Sequence, residues 1–188
     1  MIPDPETLDR IVALLNSAGV PYMVTGSIAS SHHGLPRMTQ DADVVVDLAG
    51  ESLERLLTAL RETDLYVGED TARHALRARR QFNVIDPGSG FKIDLIVLKD
   101  RPFSRVEFDR RRPARLTDTL TAALATAEDS ILSKLEWSRK AGESAKQITD
   151  VAGVVQMSGA SLDIAYIDRW AAELGVLDLW KRVSVSLR

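Results

Sequence analysis

Two carboxylates one residue apart, Asp41 and Asp43, open the apolar run "ADVVVDL". Such pairs are cheap: 27 acidic residues in 188 predict roughly four by chance, and Asp4/Glu6, Glu62/Asp64 and Glu107/Asp109 are the others. Setting separates Asp41/Asp43 from these, because the pair runs straight into three valines that read as a buried strand. Residues two apart on a strand share one face about 7 Å apart, so two acids there repel each other unless something positive sits between them. Asp94 interrupts a second apolar run, "FKIDLIVL", whose Phe91, Ile93, Leu95 and Val97 would face the other way. If the two strands are neighbours, Asp41, Asp43 and Asp94 converge as metal ligands on one or two Mg²⁺ ions, or Mn²⁺ in their place, the chemistry of phosphate-handling sites. The competing reading pairs Asp94 with an Arg or Lys at a sheet edge.

Gly26-Ser27 ends the strand "VPYMVTG" and starts a short helix. A glycine there lets a phosphate approach backbone amides at a helix N-terminus, with the serine hydroxyl as a further donor. The bland alternative is a tight strand-to-helix turn.

The elements that must position these groups follow from periodicity. Asp4-Pro5 starts an amphipathic helix with Ile11, Leu14, Leu15 and Ala18 on one face, stopped at Gly19. "SIASSHHG" has room for about two helical turns before Gly34 and Pro36. "ESLERLLTALRET" carries Leu53, Leu56, Leu57 and Leu60 at helical spacing, and "QFNVID" and "FKIDLIVL" flank the turn sequence "PGSG". The pattern predicts an α/β (α+β) fold, a mixed sheet flanked by helices. From Thr126, with Asp129 as a capping partner, three helical patterns and a short last helix predict a C-terminal helical bundle. The expected division is 1–122 for the core and 123–188 for the helical part.

Composition narrows the class. The apolar and charged fractions are those of a globular chain, and a net charge of −3 supplies no global pull toward polyanions. There is no cysteine, which removes disulfides and thiolate metal sites and fits a reducing, cytoplasmic setting. No basic-then-apolar leader and no apolar run of about 18 residues is present, so no membrane partner is expected.

The order Gly26-Ser27, Asp41-Ala42-Asp43, then Asp94 resembles the minimal nucleotidyltransferase superfamily, with the polymerase beta-like fold, over roughly residues 20 to 100. "GLPRMTQDAD" further resembles the Arg-x-Thr/Ser-x-Asp-x-Asp form of AbiEii-type toxin nucleotidyltransferases, with Arg37 and Thr39 in the matching places. Those proteins also carry a lysine on a later helix and an Asp beyond it, which Lys134 and Asp150 match. The resemblance implies a nucleoside triphosphate substrate, two metal ions on Asp41, Asp43 and Asp94, and Asp94 as the base for in-line attack on the α-phosphate. It implies a nucleotide-binding set of Gly26, Ser27, Arg37, Thr39, Lys134 and Asp150. The acceptor hydroxyl would belong to RNA, a protein or a small molecule, and a cognate antitoxin would be a partner. The chain is shorter than the larger toxins of that group. Two alternatives stand beside this: a nucleotide-binding or toxin-antitoxin module without turnover, and an aminoglycoside-type nucleotidyltransferase.

Other residues attract blander expectations. His32 and His33 are adjacent and point about 100° apart on a helix, so they do not chelate together and belong to a solvated turn. "RHALRARR" and "RRRPAR" read as solvated faces, with contact to an RNA acceptor as the minority reading. Trp137, Trp170 and Trp180 read as core packing on the C-terminal helices.

Overall fold

The computed structural model describes residue 2 and residues 4–187. Helix α1 (Pro5–Ser17) begins behind Asp4, whose carboxylate accepts the N–H of Thr7 at 2.9 Å. Strand β1 (Tyr22–Thr25) runs into α2 (Gly26–His33), and β2 (Asp41–Val46) returns antiparallel to β1 before α3 (Gly50–Arg61). Then come β3 (Tyr66–Val67), α4 (Glu69–Ala78), and the hairpin β4 (Gln81–Ile85) and β5 (Lys92–Val97). Helix α5 (Pro102–Arg110) leads to a second hairpin, β6 (Arg112–Arg115) and β7 (Thr121–Leu124). The chain ends in α6 (Ala127–Lys140), α7 (Ala145–Ser158), α8 (Ile164–Glu173) and α9 (Leu177–Val183), with 3₁₀ turns after α7 and α9.

Among the described residues seven strands make one mixed sheet in the order β3-β4-β5-β2-β1-β7-β6. The two strands that carry the acids, β2 and β5, are parallel neighbours in its middle. Their even-odd alternation works as the pattern requires: Ala42, Val44 and Val46 on β2, and Ile93, Leu95 and Val97 on β5, are all buried toward α1 and α3. The acids therefore lie on the opposite face, which α2 and the C-terminal helices partly cover.

A second apolar cluster is built from α6 to α9 and takes in Phe103 of α5, whose ring sits 5.3 Å from that of Trp170. The expected division at residue 122 falls inside β7, which pairs in parallel with β1 through Val24 and Leu124. Leu124 itself belongs to the sheet's apolar cluster.

Several elements lay outside the sequence pattern. β6 is "RPAR", with no apolar alternation; it survives because it is an edge strand, where Pro113 removes an N–H at little cost and arginines discourage pairing with another chain. β3 is two residues long and β7 is "TAAL", both too short to register a period. The two basic clusters land at opposite ends of the sheet, one on α4 beside β4 and one on β6, so they form no continuous patch. Trp170 and Trp180 are buried as expected, whereas Trp137 is 61% exposed, which corrects the core assignment for that residue. Its place on α6 turns it away from the packed stripe Ile131, Leu132, Leu135 and Ser138.

Candidate active site

Parallel pairing of β2 with β5 sets Asp41 opposite Lys92 and Asp43 opposite Asp94, so all four side chains stand on one face. Thr25, the last residue of β1, pairs with Asp43 from the other side and hands the chain directly to Gly26. The strand order thus delivers Asp41, Asp43, Asp94 and the Gly26 bend to one place.

Gly26 has φ +63°, a conformation that L side chains rarely adopt. Its bare Cα is also the seat of Asp43: a Cβ at Gly26 would fall on the Asp43 carboxylate. Both backbone geometry and space therefore require glycine. Thr39, buried, donates its hydroxyl to Asp41 Oδ1 at 3.0 Å and fixes that carboxylate's rotamer.

Asp94 is 6% exposed, and its Oδ2 accepts from Lys92 Nζ at 3.0 Å. Its Oδ1 is buried and has no partner among the described residues, a costly state for a carboxylate oxygen. Asp94 thus pairs with a lysine, in mid-sheet and not at an edge, and stands beside Asp43. Lys92 was legible by the same i, i+2 rule that links Asp41 to Asp43, since it lies two before Asp94 on its strand. Burial, then the charges of Asp41 and Asp94, push the Asp43 carboxyl up to about 6, partly offset by Lys134 and Lys92. Lys92 is raised by its hydrogen bond to Asp94 and by the neighbouring acids, against its own burial.

A second group closes the site from the helical side. Arg37 grips Asp150 on α7 with a two-pronged contact, Nε to Oδ1 at 2.8 Å and Nη2 to Oδ2 at 3.0 Å, and also donates to Ser27 Oγ at 2.5 Å. Lys134 on α6, 6% exposed, donates to Asp150 Oδ2 at 2.7 Å. Burial lowers the Lys134 ammonium, against the pull of Asp150, and Asp43 lies near enough to favour its charge. The Asp150 side chain is covered too, yet Arg37 and Lys134 hold its carboxyl below the usual range. Close packing makes this possible: a Cβ at Gly34, after α2, would meet the backbone of Val154 at 2.6 Å, so α7 rests directly on the end of α2. His33 donates from Nε2 to the Ala125 carbonyl at 2.8 Å, and His32 is exposed, so neither is a ligand to anything described.

Among the described residues no three His, Asp or Glu side chains stand together as a ready metal cage. Asp94 is turned to Lys92 and Asp43 onto Gly26. The donor set still fits Mg²⁺, which is held by one or two carboxylates with substrate phosphate completing its shell, and the unpartnered Asp94 Oδ1 is a lone pair awaiting a cation or a proton.

No family model and no curated protein sequence matches the chain. Solved structures do resemble it. They include the antibiotic-resistance factor ANT(2'')-Ia in solution, at TM-score 0.58 and 12% identity, over 93% of this chain and 95% of that one. The complex of ANT(2'')-Ia with adenylyl-2''-tobramycin matches at TM-score 0.58 and 13% identity, over 90% and 95% of the two chains. An antigenic nucleotidyltransferase-like protein from Paracoccidioides brasiliensis matches at TM-score 0.57 and 16% identity, over 95% and 90%. At such identities the likeness establishes the nucleotidyltransferase-like fold.

Proposed function

We propose that the protein is a metal-dependent nucleotidyltransferase that moves a nucleoside monophosphate from a nucleoside triphosphate to a hydroxyl acceptor. The observation that carries this reading is the in-register pairing of Asp43 with Asp94 beside Gly26, with one buried carboxylate oxygen left unpartnered. Asp41 and Asp43, with Asp94, would hold Mg²⁺, which when bound neutralises the triphosphate and acidifies the acceptor hydroxyl.

The chain's own groups supply the rest. Backbone amides at the start of α2 and the Ser27 hydroxyl would receive phosphate oxygens. Arg37 and Lys134, held in place by Asp150, would add positive charge on the same side. Asp94 Oδ1 would take the proton of the acceptor hydroxyl as its oxygen bonds to the α-phosphorus; the bond from that phosphorus to the bridging oxygen breaks and pyrophosphate leaves.

The arrangement Arg37-x-Thr39-x-Asp41-x-Asp43, completed by Lys134 and Asp150, supports the AbiEii-type version, with RNA or protein as acceptor and an antitoxin as partner. An aminoglycoside acceptor would call for acids around the acceptor space. A cavity of about 130 Å³ beside the site is lined instead by Ile2, Ile28, Leu116, His32 and Arg37, with Ser27, Ser31 and Thr39. A binding module without turnover is the second reading, and the Lys92–Asp94 pair favours it, since the lysine occupies one of the oxygens the chemistry needs.

The test is incubation with each α-labelled NTP and Mg²⁺ in the presence of cellular RNA and of the protein itself. Label should enter one of the polymers, and the double variant Asp41→Asn/Asp43→Asn should lower the rate by roughly a thousandfold or more, the scale of removing transition-state charge stabilisation. Full transfer by that variant would refute the assignment. NTP binding without transfer to any acceptor would favour the module.

A further inference from the structure

The order of the strands lays out an axis for the proposed transfer. Phosphates belong at Gly26 and Ser27, where β1 ends; Asp43 follows on β2, Asp94 on β5, and beyond Asp94 comes β4. In an in-line displacement the leaving group and the attacking oxygen stand on opposite sides of the phosphorus. With pyrophosphate leaving toward Ser27 and Arg37, the acceptor hydroxyl approaches Asp94 from the β4 side. The register shows what it meets there. Asn83 lies directly opposite Asp94 on the same face, about 5 Å away between Cα atoms, and it is exposed. Gln81, opposite Ile96, and Ile85, opposite Lys92, flank it on that face, and Tyr66 of β3, opposite Ile85, carries the row to the edge of the sheet. Gln81 is exposed and Tyr66 is 62% exposed, so the strip is open.

The chemistry of the strip changes along its length. An aromatic ring stands at one end and two amides in the middle; at the other end, where α4 gives way to β4, Arg77, Arg79 and Arg80 are exposed. Arg79 donates to the Leu98 carbonyl at 2.8 Å and so reaches across the end of β5. None of Tyr66, Ile85, Asn83 and Gln81 is acidic, so a cationic acceptor finds no counter-charge on them. A single strand of RNA finds a ring for a base to stack on, amides for sugar and base edges, and guanidinium groups for phosphates. We infer that this strip seats the acceptor, a single-stranded RNA end, with Asn83 hydrogen-bonded to the terminal ribose so that its hydroxyl faces Asp94; the inference rests on the transfer reading above. The terminal base lies toward Tyr66, and the preceding phosphates run along β4 toward Arg77 and Arg80.

The test is the labelled-NTP transfer assay on the full-length protein with total cellular RNA as acceptor, read as separate KM values for RNA and for the NTP. Asn83→Ala should raise the KM for RNA by roughly 2- to 10-fold, the scale of one lost hydrogen bond. Tyr66→Ala should raise it by roughly 5-fold or more, the scale of one lost base–aromatic stack, and Tyr66→Phe should keep it near the wild type. Arg77→Ala/Arg80→Ala should flatten its salt dependence by roughly one power of the salt concentration for each arginine. The KM for the NTP and the calorimetric affinity for ATP should stay at wild-type values in all of these, because the strip lies beyond Asp94 from the triphosphate. Thermal midpoints matching the wild type would confirm that the variants fold. Label entering RNA with a wild-type RNA KM and salt dependence in every variant would overturn the strip and leave nucleotidyl transfer standing. Label entering another acceptor and not RNA would overturn it in the same way. No label in any acceptor would overturn the transfer reading and this seat with it.

Discussion

Asp94 and Asp129 are both buried carboxylates facing a cation, and their surroundings differ in kind. Asp129, fully buried on α6, spends both oxygens: Oδ2 accepts from Arg110 Nε at 3.0 Å and Thr126 Oγ1 at 2.7 Å, and Oδ1 accepts from the Tyr166 hydroxyl at 2.5 Å. The Arg110 guanidinium also lies 4.0 Å over the Tyr166 ring, so the network ties α5, α6 and α8 together. Nothing in it is left open. Asp94 has one oxygen on Lys92 and the other bare, with Asp43 as a like-charged neighbour across the strand pair. A closed acid network fixes helices; an open one at strand starts keeps unfavourable charge in place, which a fold retains when a ligand supplies the missing partner.

The largest effect should come from breaking the closed network. Asp129→Ala strips three donors, strands the buried Tyr166 hydroxyl and leaves the partly exposed Arg110 with Glu128 alone, a loss on the order of 1–3 kcal/mol by chemical denaturation. The matched change in the open cluster, Asp43→Asn, should leave stability equal or raised. Burial and two acid neighbours push Asp43 up to about 6, so the folded form loses stability as pH climbs from its ordinary range near 4 to 6, and Asn removes that loss. A large destabilisation by Asp43→Asn would erase the contrast.

A third acid, Glu107 of α5, differs from both in being buried without a cation on it. Burial pushes its carboxyl up to about 8, against the hydrogen bond from Ser133. The folded chain then keeps a proton that the unfolded chain releases above about 4.5, and stability should fall steadily from pH 5 to pH 8. Glu107→Gln should flatten that fall, so its thermal midpoint gains on the wild type as pH rises. Parallel midpoint curves for the two proteins would show that Glu107 ionises freely.

Much of the site was legible because its logic is local. Glycine before a helix, acids two apart on a strand and an acid amid alternating apolar residues each carry their geometry in their spacing, and the sheet order brings them together. Lys134 and Asp150 were carried by resemblance; they meet across α6 and α7, and the Arg37–Asp150 pair, whose physical basis is the contact of α7 with the end of α2 at Gly34, joins residues over a hundred positions apart. Lys92 was missed although the period-2 rule reached it. β6 and β7 were illegible because "RPAR" and "TAAL" become strands only when the sheet edge is there to receive them. Trp137 was misassigned because helical periodicity alone does not say where the partner helices stop.

The most direct test of the open cluster is a calorimetric titration of ATP, with and without Mg²⁺, into the wild type and into Asp43→Asn. The account predicts saturable binding by the wild type that requires Mg²⁺ and is lost or weakened at least tenfold in the folded variant. Equal binding by both proteins, or binding indifferent to Mg²⁺, would contradict it.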